Sequence, residues 1–362
     1  MADGAGAPSR LRFLLGAFGD PGHAFPMIAL GRELVRRGHE VHLQTWRRWG
    51  EEARAEGMRF AAAPEYPVFP RMDEPLRPYE AVVPATRETL PLVEAVRPHA
   101  VVADVLTLAP ALAAELCGVP SATLIPHVHP DMAASAPVYS LGARLPRTLA
   151  GRTLWTGLHQ ITRGGLRRGR RELNETRRRL GLAPVDRLLG GISGELVLVG
   201  TFPQLEYPRA WPAHVHVVGP LLWEPPAQAE EPPPGEGPVV LVAPSTSQDP
   251  EQRLLRAALE GLGPMPVRVL ATWNRRLPSR ALPRPANARV VEWLSYARSM
   301  DACDVVVCHA GHGTVVRALA SGCAVVACPA AGDMNENAAR IDWAGAGVRL
   351  PRRFATHPRA VA

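Results

Sequence analysis

Two histidines three apart, His309 and His312, stand in the stretch "VVVCHAGHGTVVRALASGCAVVACP" (305–329), a glycine-rich turn between two apolar runs. Such a turn suits a metal ion, a phosphate cradle, or nothing beyond the turn itself. Zinc would have to draw on Cys303, Cys308, Cys323 and Cys328, which come in two pairs five apart. Both pairs fall on runs that read as strands, where five steps span roughly 16 Å, so neither pair can share one ion and no metal is expected. The phosphate reading fares better. His309 ends a strand, Gly311 and Gly313 strip the turn of side chains, and Thr314 opens the next helix, which suits a diphosphate. His312, inside the turn, is expected to be a local structural or solvent-facing residue.

A second cluster follows the first apolar run, in "GAFGDPGHAFP" (16–26). Its glycines run G-x-x-G-x-x-G, which is not the G-x-G-x-x-G of dinucleotide binding, so hydride chemistry loses its main support. His23 sits just before the helix expected to start at Pro26 and can act as a base for a hydroxyl. Asp104, at the tip of "AVVAD", could fix the tautomer of that histidine; it could equally cap the helix that follows.

These residues need elements to hold them at strand ends. "LRFLLGAFG", "EVHLQT", "AVVADV" and "SATLIPH" read as strands alternating with helices such as "PMIALGRELVRRG", the pattern of a parallel doubly wound sheet. The segment 137–190 departs from it and reads mainly as helix. A proline- and glutamate-rich linker is expected at 222–237, "LWEPPAQAEEPPPGEG". It separates a domain at 10–221 from a second α/β domain at 238–362, built on "PVVLVAP", "VRVLATW", "ARVVEW", "DVVVCHAG" and "CAVVACP". The fold class is therefore α/β, with two Rossmann-like domains expected to face across a cleft and ligands beyond the carboxyl ends of the strands.

Composition narrows the chemistry. The 362 residues are 46% hydrophobic and 21% charged, with a net charge of +7. All of the basic charge is arginine, because the sequence contains no lysine. Lysine-dependent phosphate loops, Schiff bases and kinase-type ATP sites are thereby excluded. The cluster "RGGLRRGRRELNETRRRLG" (163–181) lacks interleaved aromatics and reads as a solvated helix face rather than a nucleic-acid site. The five cysteines read as reduced and structural. No segment reads as a signal peptide or membrane span, which places the chain in the cytoplasm.

On the motifs "GHAFPMIALGRELVRRGHEV", "VVAD" and above all 288–350, which contains "VVEWLSYARSMDACDVVVCHAGHGTVVRALASGCAVVACPAAGDMNENAARIDWAGAGVRL", the chain resembles the GT-B nucleotide-sugar glycosyltransferases. It is most similar to the bacterial natural-product family that includes the macrolide and UDP-glucuronosyl enzymes. The resemblance implies an N-terminal acceptor domain and a C-terminal donor domain. It makes His23 the general base and Asp104 its partner, and assigns the donor diphosphate to His309, Gly311, Gly313 and Thr314, with Ser245 and Thr246 reaching the phosphates. Trp293 would stack on the nucleobase, Asp333 would bind sugar hydroxyls, and Asn337 lies in the same segment.

The activity so implied is inverting transfer of a sugar from a nucleoside diphosphate to a hydroxyl of a hydrophobic acceptor. No Asp-x-Asp pair is present, and neither metal nor other cofactor is expected. A nucleotide-sugar-binding homologue without turnover and a nucleotide-sugar epimerase are the alternatives. Met334, where the family often has Gln, favours a deoxysugar, and Arg317, where UDP-sugar enzymes carry a ribose-binding Glu, favours dTDP. Ala310 replaces a common Gly, and a turn of ordinary backbone angles is expected there. The family's last helices are expected to be missing after "GAGVRLPRRFATHPRAVA". The acceptor pocket is expected from 66–90 and 127–160, with His127 and His129. The expected partners are a nucleotide-sugar donor, an apolar small-molecule acceptor and a second copy of the chain, with no nucleic acid and no stable membrane anchor.

Overall fold

The computed structural model describes residues 10–64, 80–131, 133–245, 249, 251–351, 353–354 and 356–362. Thr246 and the first part of the expected acceptor segment, 66–79, lie outside these residues. The chain divides into two compact units: one of Met1–Pro126, Ile161–Gly200 and Ala210–Trp223, the other of His127–Gln160, Thr201–Arg209 and Glu224–Ala362.

The first unit is built on a seven-stranded sheet ordered β3-β2-β1-β4-β5-β6-β7. Its strands are β1 (Arg12–Gly16), β2 (Glu40–Thr45), β3 (Arg59–Ala62), β4 (Ala100–Asp104), β5 (Ser121–Ile125), β6 (Val197–Val199) and β7 (Val215–Val217). Every neighbouring pair is parallel. The helices of this part of the chain are α1 (Pro21–Arg36), α2 (Gly50–Ala55), α3 (Val82–Val96) and α4 (Ala109–Leu116), followed by the long α5 (Leu149–Arg179). The core closes on Leu15, Met27, Ile28 and Leu43, and Trp223 is buried among them. The Trp223 indole N–H donates to Glu56 at 2.6 Å.

The second unit carries a six-stranded parallel sheet ordered β10-β9-β8-β11-β12-β13. Its strands are β8 (Val239–Ala243), β9 (Arg268–Thr272), β10 (Ala288–Val291), β11 (Val305–Cys308), β12 (Ala324–Ala327) and β13 (Gly347–Arg349). Its helices are α6 (Arg253–Leu262), α7 (Tyr296–Ser299), α8 (His312–Ala320), α9 (Met334–Ala344) and α10 (Pro358–Val361). Leu254, Leu255, Ala258 and Leu259 of α6 pack on Val240, Val242, Val269 and Ala271 of the sheet.

Both sheets are therefore parallel and doubly wound, as the alternation of elements predicts. In each, strand order reverses at one place, between β1 and β4 in the first and between β8 and β11 in the second. Loops leave the sheet in opposite directions there and open a crevice beyond the strand ends.

Two local expectations change. The first helix starts at Pro21, not Pro26, so His23 lies in its first turn and Pro26 is inside it. Proline is tolerated at the first helical position because its missing N–H would have no partner there. The arginine cluster is only partly solvated: Arg177 is buried and donates both terminal nitrogens to Glu115 at 2.8 and 2.7 Å. Cys303 and Cys323 stand just before the neighbouring strands β11 and β12, Cys308 ends β11 and Cys328 follows β12. The Cys328 N–H donates to the Cys308 carbonyl at 2.8 Å, and the Cys323 thiol to the Cys303 carbonyl at 3.1 Å. Burial raises the Cys303 and Cys328 thiols to about 12, so they remain protonated and unreactive.

Candidate functional site

The reversal point of the first unit holds the histidine and carboxylate picked out from sequence. His23 Nδ1 lies 2.8 Å from Asp104 Oδ1. An ionised carboxylate only accepts, so the ring carries its proton on Nδ1 and Nε2 is its accepting nitrogen. Asp104 is buried and its second oxygen accepts the Phe18 N–H at 3.3 Å. Phe18 meets the imidazole edge-on, with ring centroids 6.0 Å apart. The residue does not cap α4, whose N-cap is Leu108. Two glycines of this loop serve packing: a Cβ on Gly16 would fall 2.4 Å from Pro110, and one on Gly19 would fall 2.0 Å from Trp46. Gly19 also offers its carbonyl to the Trp49 indole at 2.7 Å. The loop is thereby pinned to β2's exit, and α1 presents His23 at a fixed angle.

The reversal point of the second unit also holds a histidine, with the opposite proton arrangement. His309, just after β11, accepts the Ser245 N–H on Nδ1 at 2.8 Å, so its proton sits on Nε2. That Nε2 lies 3.6 Å from Asp249 Oδ2, beyond hydrogen-bond reach. Asp249 itself accepts the Arg253 and Leu254 N–H groups at 3.0 Å each and so caps α6. Burial pushes the His309 pKa down, and the Asp249 charge opposes this.

The turn between His309 and α8 differs from expectation at Ala310. Its φ is +60°, in the left-handed region that favours glycine, rather than an ordinary backbone angle. The Asn337 amide, on α9, holds this turn by donating to the Ala310 carbonyl at 2.9 Å. Gly311 and Gly313 are the reverse case. Neither has positive φ, and a Cβ on either would meet nothing within 4 Å. Backbone and packing both leave these positions indifferent to a methyl group; what glycine preserves is open space in front of the α8 N-terminus. The first N–H groups of α8 point into that space without intrahelical partners. Thr314 stands half-buried in the same first turn, and His312 is buried rather than solvent-facing.

Three further residues from the sequence lie around the same strand ends. Asp333 is the N-cap of α9, and its side chain makes no capping hydrogen bond. Asn337 is buried, and its Oδ1 has no hydrogen-bond partner among the described residues. Trp293, beyond β10, carries the Arg275 guanidinium 4.7 Å above its ring. Arg275 is placed by two successive left-handed residues, Asn274 at φ 51° and Arg275 at φ 59°. Asn274 bonds the Pro244 carbonyl at 2.6 Å and receives the Tyr296 hydroxyl at 3.2 Å, tying this segment to the loop after β8.

With the geometry in place, comparison with known proteins identifies the chain's relatives. Residues 257–360 match the model described as "Erythromycin biosynthesis protein CIII-like, C-terminal domain". The 4'-demethylrebeccamycin synthase of Lentzea aerocolonigenes is 30% identical, over 94% of this chain and 88% of that protein. The chain belongs to the natural-product glycosyltransferase family. Among solved structures, the glycosyltransferase of kitacinnamycin superposes with a TM-score of 0.74 at 20% identity, covering 98% of this chain and 90% of that one. The glycosyltransferase VinC in complex with dTDP superposes at 0.67 and 18% identity, covering 97% and 89%. The fold is thus GT-B, and the glycosyltransferase moves a sugar to a small-molecule acceptor.

Sequence reasoning did not find a group of buried charges in the second unit. Arg340 on α9, 1% exposed, donates to Glu336 and to Glu206 at 2.9 Å each, and its guanidinium lies 4.2 Å over the Tyr207 ring. Glu206 also accepts the His129 N–H at 2.7 Å. His129, expected to line an acceptor pocket, is buried beside this group. Burial, then the positive charge of Arg209, pushes its pKa down to about 4. His127 is half-buried, with its Nδ1 2.8 Å from the Val128 carbonyl.

Proposed function

We propose that this glycosyltransferase is an inverting, metal-independent enzyme that moves a sugar from dTDP or UDP to a hydroxyl of an apolar small molecule. The observation that carries the reading is the His23–Asp104 pair at 2.8 Å, at the strand reversal where ligands of such sheets bind. Its Nε2 lone pair accepts the proton of the acceptor hydroxyl as that oxygen forms a bond to the anomeric carbon. The bond from that carbon to the diphosphate breaks, and its electron pair leaves with the nucleotide. Asp104 stabilises the imidazolium that forms, so the proton is held until product departs. One displacement from the face opposite the leaving group inverts the anomeric centre.

The diphosphate is held, on this reading, by the N–H groups at the start of α8, the space left by Gly311 and Gly313, the Thr314 hydroxyl, the His309 Nε2–H and the loop at Ser245 and Thr246. Trp293 stacks on the base with the face that Arg275 leaves open. Asp333 accepts sugar hydroxyls, and the Asn337 Oδ1 takes a further one. Backbone donors and the helix dipole neutralise the leaving charge, so no metal and no cofactor is called for. The dTDP complex of VinC supports a dTDP donor.

The test is a transfer assay with dTDP- and UDP-sugars of α configuration against a panel of phenolic and aliphatic aglycones, with and without EDTA. A β-linked product that forms equally in EDTA is the expected result. An α-linked product would overturn inversion, and loss of transfer in EDTA would overturn metal independence.

A further inference from the structure

Three consecutive residues between β1 and α1 touch both members of the His23–Asp104 pair. Phe18 gives its N–H to Asp104 Oδ2 at 3.3 Å and sets its ring edge-on to the imidazole. Asp20 offers its carbonyl to the His23 and Ala24 N–H groups at 3.0 and 2.8 Å, which fixes where α1 begins and how it points. Gly19 lies between them, and its carbonyl is the point at which the loop is held from outside. Two donors at the exit of β2 hold it: the Trp49 indole N–H at 2.7 Å and the Arg48 guanidinium at 2.5 Å.

The two donors differ in what else they do. Trp49 meets Phe25 edge-on, and Phe25 meets the buried Trp223 in the same way, so this indole belongs to the core. The Arg48 side chain is 49% exposed, and its guanidinium lies 4.9 Å over the rings of both Trp46 and Trp49. The same group stands 3.6 Å from Asp20 Oδ1. Asp20 departs here from the usual behaviour of an aspartate at an N-cap: its side chain makes no capping hydrogen bond with α1 and stands beside Arg48 instead. An exposed arginine loses rotamer freedom when it is fixed in this way. A planar guanidinium suits the place, since it stacks on rings with its face while its N–H groups reach the carbonyl in its own plane.

We propose that Arg48 is a positioning residue for sugar transfer: by holding the Gly19 carbonyl it keeps the loop closed on His23 and Asp104 and the two at their spacing of 2.8 Å. The proposal rests on the reading of His23 as the base. When the carbonyl is released, Gly19 moves with its neighbours on both sides. Phe18 then draws its N–H away from Asp104, and the start of α1, which aims the imidazole, loses one of its ties. Misplacing a catalytic group by about 1 Å costs on the order of a hundredfold in rate; with Trp49 still in place, the loss expected without Arg48 is about tenfold.

The experiment uses the full chain with Arg48→Gln, Arg48→Lys and His23→Ala. The Nδ1 proton of His23 is observed by NMR on protein with isotope-labelled histidine and identified by its absence in His23→Ala. It is expected to be sharp in the parent, broadened by exchange with water in Arg48→Gln, and intermediate in Arg48→Lys, whose ammonium reaches the carbonyl but has no plane to stack. With whichever donor and acceptor support transfer, kcat is expected to fall about tenfold in Arg48→Gln, with acceptor KM and dTDP affinity within about twofold of the parent. In the His23→Ala background the same substitution is expected to change the residual rate by less than about twofold. A sharp Nδ1 signal or an undiminished kcat in Arg48→Gln, or an equal loss of rate with and without His23, overturns the proposal and leaves the base reading standing. A parent-like kcat in His23→Ala overturns the base reading and, with it, the part given to Arg48.

Discussion

His23 and His309 both lie beyond the strand ends that flank a reversal of strand order, His23 after β1 in the first sheet and His309 after β11 in the second, and they carry their protons on opposite ring nitrogens. The Asp104 carboxylate draws the proton of His23 to Nδ1 and leaves a base. The Ser245 N–H takes the Nδ1 lone pair of His309 and leaves a donor. One architecture thus yields a proton acceptor in one unit and an anion-facing donor in the other, and the difference lies in a single neighbouring group in each case.

The first half of that relationship predicts the behaviour of Asp104→Asn. The amide can offer its N–H to Nδ1 and so turn the ring's proton to Nε2, where it blocks abstraction. We expect kcat to fall at least about a hundredfold while dTDP affinity stays within twofold. A kcat near the parent value would show that His23 does not depend on this partner.

The second half predicts a separable effect at His309. In His309→Asn the side-chain oxygen can still accept the Ser245 N–H, so the loop is kept while the Nε2–H is lost. Urea denaturation should place the variant close to the parent, and dTDP affinity should fall about tenfold. Unchanged dTDP affinity would reduce His309 to a latch between β11 and the loop after β8.

Strand-end logic made these residues legible in the sequence, because a parallel sheet must deliver its loops to one edge and "AVVAD" and "VVVCHAG" end there. Helix limits were less legible. Pro21 and Pro26 both look like a first helical position, and only the packing of the preceding loop, with Gly19 under Trp46, decides between them. The left-handed angle of Ala310 could not be read, since alanine gives no signal for it. The Glu206–Arg340 pair is 134 residues apart in sequence, and Glu336 and Arg340 look like an ordinary i,i+4 pair on a solvated helix face. Burial of both is a tertiary fact with no local trace.

His129 predicts a pH dependence of stability. Its folded pKa is lowered to about 4 from the ordinary histidine value of 6.5, so the unfolded chain binds the proton more readily. Stability from this group is present above about 6.5 and is lost as pH falls through that window towards 4. The loss should amount to on the order of 2 kcal/mol in denaturant unfolding between these limits. In His129→Asn, whose side-chain oxygen can accept the Asp131 N–H in place of Nδ1, this component of the slope should vanish. The parent slope persisting in His129→Asn would assign it elsewhere.

The turn before α8 carries the sharpest separation of stability from binding. Ala310 occupies a left-handed angle where a side chain costs about 1 kcal/mol or more, so Ala310→Gly should raise the urea midpoint by about that much and leave dTDP affinity unchanged. Gly313 lies inside the first turn of α8 with open space at its Cβ. Gly313→Ala should therefore also raise stability, by up to about 1 kcal/mol, through helix propensity. Its methyl group, however, enters the space assigned to the diphosphate, and dTDP affinity should fall at least about tenfold. A Gly313→Ala protein that is more stable and binds dTDP as tightly as the parent would mean that the α8 N-terminus is not where the diphosphate sits.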